Sequence, residues 1–331
     1  MQLSSREKFL LYAELAKLVA AGFGIDKSAE LLSSQAPGGR VAGFARGIRA
    51  GLAQGFSFAD AVGHSTPTPS ALEVSILRAT ESGGVLPEGL RYLRDSFESE
   101  WKLWRSVRGR LIYPAFLLHL AAFVPVIPPL VTGGAMEGVL GRALWTLGAV
   151  YASGAGLFWA GQILGRLAES REDVDRLLRR LPMIGGAWRF IGLQRFAGIF
   201  RVYLRCGSTV SVALDGAGEA TQSAVLVKEA AKLSDCAEAG EAIGPHLEAS
   251  GTFPSEFSRS LANAERIGGL EQDLARWAEH YREAAAARLE QIGVWFPKAI
   301  YFLVASYVGW QVIRTYVGIY EGVLKQLERG M

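Results

Sequence analysis

Glu81-Ser82-Gly83-Gly84-Val85-Leu86 recurs as Glu265-Arg266-Ile267-Gly268-Gly269-Leu270, and this recurrence decides how the chain is read. Working outward, Leu90 matches Leu274, Leu93 matches Trp277 and Phe97 matches Tyr281, all at one constant spacing. Upstream, Ala21-Gly22 matches Cys206-Gly207. Downstream, Tyr113-Pro114 matches Phe296-Pro297. Self-similarity on this scale means a duplicated unit. Each half is a polar helical stretch that runs into an apolar, proline-bearing segment.

Helical signals surround both copies of the motif. Ser4-x-x-Glu7 is a capping box for a first helix, which should stop near Gly22 and Gly24. Val41, Phe44, Ala45, Ile48 and Leu52 fall at helical spacing, as do Leu72, Ile76 and Ala79. Gly38-Gly39 and Thr66-Pro67-Thr68-Pro69 punctuate these helices. In the second half Phe196, Ile199, Phe200 and Tyr203 lead into Cys206-Gly207, and helices are expected near 212–221, 225–239, 254–264 and 270–292. Alternating strand patterns are scarce. The predicted class is all-α, with two repeated helical bundles of about six helices each.

Within the motif, Gly84 and Gly268 can take positive φ at a bend before the helix that begins around Leu86 or Leu270. Glu81 and Glu265 should lie near the N-terminus of that following helix, where a carboxylate accepts backbone N–H bonds and meets the helix dipole. A structural role and a contact with a partner both fit these residues.

Three segments read as membrane spans. Residues 111–131 contain no charge and can cross a hydrocarbon core of about 30 Å. Residues 143–165 are also uncharged. Residues 294–317 contain Lys298 and Arg314, each costing about 2.5–3.5 kcal/mol at the bilayer centre. These two lie about 24 Å apart along a helix and can snorkel to opposite faces. Pro114, Pro125, Pro128 and Pro129 should kink the first span. Gly148, Ala152, Gly156 and Ala160 form a small-residue stripe on the second, suited to close helix packing. Tyr113, Pro114, Phe296 and Pro297 mark where the first and third spans enter the membrane. Trp101-Lys102-Leu103-Trp104 reads as an interfacial anchor.

Lys102, Arg105, Arg108 and Arg110 precede the first span, and Arg166, Arg171, Arg176, Arg179 and Arg180 follow the second. The intervening loop carries only Arg142. The positive-inside rule then places the first bundle (1–110) and the second (166–293) in the cytoplasm. The loop 132–142 and the tail 318–331 face outward. The expected protein is multi-pass in the cytoplasmic (inner) membrane, with its N-terminus cytoplasmic and its C-terminus outside.

Composition agrees. Half of the 331 residues are hydrophobic and 20% are charged. A net charge of +3 gives no argument for nucleic acid. Arg6, Glu7, Lys8, Glu14 and Lys17 leave no cleavable leader in the first residues. Cys206 and Cys236 lack CxxC spacing and read as a reduced pair. No GxxxxGK[ST] loop is present, and Gly-Lys never occurs, so no Walker-type nucleotide site is expected. His64, His119, His246 and His280 are scattered without HExxH spacing. His119 lies inside the first span, where it can bond a neighbouring helix. No Asp or Glu lies within the spans, which argues against ion-coupled transport. No catalytic residue, cofactor or metal is expected.

Two helical repeats with Glu-x-x-Gly-x-Leu, feeding Tyr-Pro and Phe-Pro spans around a further span, resemble the type II secretion system F family. Arg110-Leu-Ile-Tyr-Pro114 resembles the start of that family's first span. Thr80 stands where the family often has Gly, and Gly83 and Ile267 replace a common Ser or Thr. The resemblance implies a non-enzymatic inner-membrane platform of a type II secretion or type IV pilus machine. Its implied partners are a cytoplasmic assembly ATPase, pilin-like or pseudopilin subunits, other inner-membrane assembly proteins, the lipid bilayer and further copies of itself. A membrane adaptor or receptor unrelated to secretion is the alternative, and a transporter a more distant one.

Overall fold

Residues 3–35, 39–123, 139–182 and 184–329 are described by the computed structural model. Among them there are helices and turns and no strand. In chain order the helices are α1 (Ser5–Ala20), α2 (Ile25–Gln35), α3 (Arg40–Ala53), α4 (Phe58–Gly63), α5 (Ala71–Ser82), α6 (Leu86–Phe123) and α7 (Val139–Ser170). They continue as α8 (Glu172–Arg180), α9 (Ile184–Arg205), α10 (Val210–Ala220), α11 (Ala224–Glu238), α12 (Ile243–Ala249), α13 (Ser255–Ile267) and α14 (Leu270–Arg329).

Helix ends follow the local sequence. The Ser4 hydroxyl accepts the Glu7 amide while the Glu7 carboxylate accepts the Ser4 amide at 2.8 Å, the capping box expected for α1. Ser70 and Glu73 open α5 the same way. Gly84 and Gly268 take φ values of 69° and 73°, a left-handed turn that side chains with a Cβ resist. Just beyond, the Val85 amide donates to the Thr80 carbonyl at 2.9 Å and the Gly269 amide to the Ala264 carbonyl at 2.8 Å. Two further turns recur with the same bonding. Phe23 donates to Leu18 and Ser208 to Tyr203; Phe56 donates to Gly51 and Glu241 to Cys236.

The chain divides into two compact units. The first comprises Met1–Trp104 and Leu167–Leu289. One hydrophobic core holds it together, with Leu15, Phe44, Phe58, Ile76 and Leu90 from one half and Phe196, Phe200, Leu214, Phe257 and Leu274 from the other. Each such side chain contributes about 1.5–3 kcal/mol by leaving water. Helix α5 packs on α9 and α10. There, a Cβ on Gly83 would stand 2.5 Å from the Cβ of Cys206. Thr80, at the position where the resembling family often has Gly, is fully buried beside Gly89, whose missing side chain makes its room. Helix α8, with no counterpart among the predicted elements, joins this unit through α9 and α11. Trp101 stacks on Phe9 of α1 at 5.7 Å, beneath Arg6.

The second unit comprises Arg105–Arg166 and Glu290–Met331. Many of the large apolar side chains described in it are exposed: Phe116 66%, Trp145 76% and Phe302 75%. So much exposed apolar surface along helices needs an apolar surrounding. Among the described residues two helical segments, rather than the expected three, are long and apolar enough to cross a membrane: Leu147–Ser170 and Leu270–Gly318. The expected first span, 111–131, is described only as far as Phe123, so Pro125, Pro128 and Pro129 lie outside the described residues, as does most of the loop 132–142. The second segment begins and ends later than the expected 143–165. The third expected span, 294–317, is the apolar part of one 60-residue helix that starts at Leu270 and continues through most of the expected tail. His119 meets the adjacent helix as anticipated, its Nε2 lying 2.9 Å from the Tyr151 hydroxyl. Lys298 lies over the Trp295 ring at 5.0 Å.

Candidate functional site

The motif carboxylates cap short helices. Glu81 accepts the amides of Phe58 and Ala59 at 2.7 and 2.9 Å, the first two residues of α4. Glu265 accepts those of Ile243 and Gly244, both at 2.9 Å, the first two of α12. The capped helix is thus the one that precedes the Glu-bearing helix, not the one that follows the motif. The physical reason is length. Helices of six and seven residues cannot hold themselves, and their free amides need an outside acceptor. Gly244 permits the approach, since a Cβ there would stand 3.2 Å from Glu265 Oε2. Leu86 and Leu270 are half-buried against the core, at the start of α6 and α14.

Two further polar constellations were not visible as motifs. In the first half, the Glu73 carboxylate pairs with the Lys8 ammonium and accepts the Tyr12 hydroxyl at 2.8 Å, with Lys8 lying over the Phe97 ring. Burial, then the Glu73 charge, holds the Tyr12 phenol well above its usual range. The spacing that relates Glu81 to Glu265 carries Glu73 and Phe97 onto Phe257 and Tyr281, which pack ring on ring. In the second half, buried Asp175 of α8 accepts the Trp188 indole N–H at 2.9 Å and the Val225 amide at 3.1 Å, and bonds the Ser223 hydroxyl. It thereby holds the N-terminus of α11. Its partners lie up to 50 residues away, so no local pattern announces it.

A charged cleft of about 650 Å³ lies within the first unit, lined by α6, α9 and α14. Arg205 crosses it, bonding Glu88 at 2.7 Å and Glu271 at 3.2 Å. Tyr92, Arg91 and Arg282 also line it. Burial pushes the Tyr92 phenol up to about 12, against the opposing Arg195 charge. Burial, with Glu88 adding to it, also raises the Cys206 thiol.

The remaining predicted positions do not converge on this cleft. Tyr113 and Phe296 are exposed on α6 and α14, with Pro297 inside α14. Pro114 falls within α6. Gly148, Ala152, Gly156 and Ala160 are all exposed on α7, and a Cβ on either glycine would meet nothing within 4 Å.

Comparison with known proteins agrees with this architecture. The family model for "Type II secretion system (T2SS), protein F" matches the chain twice, over residues 11–128 and 196–317. A type II secretion system protein F of Pseudomonas aeruginosa is 27% identical over 324 residues, covering 91% of this chain and 79% of its own. A type IV pilus assembly protein PilC of Thermus thermophilus is 27% identical, covering 88% of this chain and 76% of its own. A PilC of Pseudomonas aeruginosa is 20% identical, covering 94% and 88%.

Proposed function

The chain belongs to the type II secretion system protein F family, inner-membrane components of secretion and pilus machines, and from that premise we propose that it is a platform coupling a cytoplasmic assembly ATPase to insertion of pilin-like subunits into a filament. The observation that carries this reading is the pair α6 and α14. Each has buried core residues near its start, Leu90 and Leu274, and exposed apolar residues further along, Phe116 and Phe302, with no helix break between them. A continuous helix transmits displacement along its length, which is the mechanical element a platform without its own energy source requires.

In this reading 1–110 and 166–293 are cytoplasmic repeats, 111–131, 143–165 and 294–317 cross the inner membrane, and the C-terminus lies outside. The charged cleft and the corners built on Glu81 and Glu265 are offered to the ATPase and to other assembly proteins. The stripe from Gly148 to Ala160 is offered to a second copy. Crosslinking and mass spectrometry of the solubilised protein with its cellular partners tests this. Crosslinks from the first unit to an assembly ATPase, and from the apolar helices to pilin-like subunits, are expected. An oligomer lacking both, in cells that express both, favours an adaptor instead.

A further inference from the structure

The corner between α11 and α12 brings together donors of three different chemistries. Cys236 lies in the last turn of α11, Glu241 just beyond Gly240, and His246 in α12. The Glu241 amide donates to the Cys236 carbonyl at 3.0 Å, which closes the turn. His246 Nε2 lies 2.9 Å from Glu241 Oε2. One donor atom from each residue falls within 4.8 Å of the other two.

The turn itself does not require these residues. The corresponding turn between α3 and α4 is closed by the Phe56 amide on the Gly51 carbonyl at 3.1 Å. At the spacing that relates Gly22 to Gly207, the counterparts of Cys236, Glu241 and His246 are Gly51, Phe56 and Ala61. They pack so closely that a Cβ on Gly51 would stand 2.8 Å from the Ala61 Cβ and 3.5 Å from the Phe56 ring. The same backbone is therefore filled by apolar groups in one half and by a thiol, a carboxylate and an imidazole in the other.

We propose that this corner binds one zinc ion through Cys236 Sγ, a Glu241 carboxylate oxygen and His246 Nε2, with a fourth position open to water. Sulfur and imidazole select zinc over calcium or magnesium. Tetrahedral zinc, with bonds of about 2.0–2.3 Å, holds its donors roughly 3.3–3.8 Å apart. Glu241 and His246 are exposed, so rotation of their side chains closes the remaining gap without moving the backbone. Zinc takes the place of the proton between Glu241 and His246, the imidazole staying neutral with its one proton moved to Nδ1, and Cys236 gives its thiol proton to water. Thiolate, carboxylate and neutral imidazole then balance the double charge.

The test titrates zinc into the full-length, detergent-solubilised protein against a competing chelator, with metal content read by mass spectrometry. One zinc per chain is expected. It should shield one of the two thiols from a thiol reagent, and cobalt(II) in its place should give a thiolate charge-transfer band. Cys236→Ser and His246→Gln should each weaken binding by roughly 100-fold, at or above the 10–100-fold typical of losing a mere outer-shell partner. Cys206→Ser should leave it unchanged, with circular dichroism verifying the fold of each variant. Failure of the unaltered protein to hold zinc or protect a thiol overturns the proposal. So does zinc binding that persists at full affinity in Cys236→Ser and His246→Gln.

Discussion

Glu265 makes at the N-terminus of α12 the same pair of bonds that Glu81, its counterpart in the first repeat, makes at the N-terminus of α4. Each carboxylate takes two amides that would otherwise lack acceptors, and each places its charge at the positive end of a helix. Replacing either with Ala should cost about 2 kcal/mol, above the ~1 kcal/mol of an ordinary N-cap, because charge-assisted bonds are lost and partly buried amides are left unpaired. Gln retains one acceptor oxygen and should cost less. Denaturant unfolding of the four variants checks this. Equal stability of Ala and Gln variants would show that the carboxylates do not act as caps.

The Lys8–Glu73 pair gives a sharper test, because the second half has Leu193 and Phe257 in its place. Side-chain exposures of 8% and 2% leave neither charge in contact with bulk water. Lys8→Met should cost about 3–5 kcal/mol, since it strands a buried carboxylate. Adding Glu73→Gln removes that charge and keeps one acceptor oxygen, for the Ser70 amide, while its NH2 can donate to the Tyr12 hydroxyl. The double variant should therefore regain most of the lost stability. Additive losses in the double variant would contradict this account.

The adjacent glycines 83 and 84 should respond in opposite order to what backbone conformation alone suggests. Gly84 has φ 69°, yet a Cβ there meets nothing within 4 Å. Gly84→Ala should cost about 1–2 kcal/mol, the left-handed penalty only. Gly83 has an ordinary helical φ, but its Cβ would lie 2.5 Å from Cys206 Cβ and 2.9 Å from Cys206 Cα. Backbone cannot rotate aside, so Gly83→Ala should cost about 3 kcal/mol, at the upper end for overpacking. Cys206→Ala in the Gly83→Ala background should not restore it, because Cβ, Cα and the carbonyl oxygen all remain in the way. Thermal unfolding of these variants gives the order directly.

Repetition made much of this fold legible. The six-residue motif located the α5–α6 and α13–α14 turns, and capping signals at Ser4 and Glu7 located the start of α1. What the sequence could not show are contacts that join distant segments. Asp175 holds α11 from 50 residues away, and α8, which carries it, is nine residues of mostly charged side chains with a narrow apolar edge. Glu81 was legible as a cap, but its helix was not, because α4 is too short for periodicity to mark. The sharing of one core by both halves was equally hidden. Hydrophobic spacing shows which face of a helix is buried, but not against which neighbour.

Alkaline pH should weaken the first unit through Tyr92. In the unfolded chain this phenol titrates near about 10; in the fold, burial pushes it up to about 12, with Arg195 pulling the other way. Between these values the unfolded state sheds a proton that the folded state keeps. The unfolded state then binds fewer protons, and stability falls as pH rises. The contribution is whole below about pH 10 and lost once the pH passes about 12. Tyr12 and Tyr203 are raised in the same direction and add to the slope. Tyr92→Phe has no proton to shed, so its stability should decline less steeply over that interval while matching the parent's pH dependence near neutrality. Denaturant midpoints at stepped alkaline pH, alongside tyrosinate absorbance, measure both. Parallel curves for the two proteins would mean that Tyr92 ionises alike in the folded and unfolded states, and that the wall of the cleft around it is open to water.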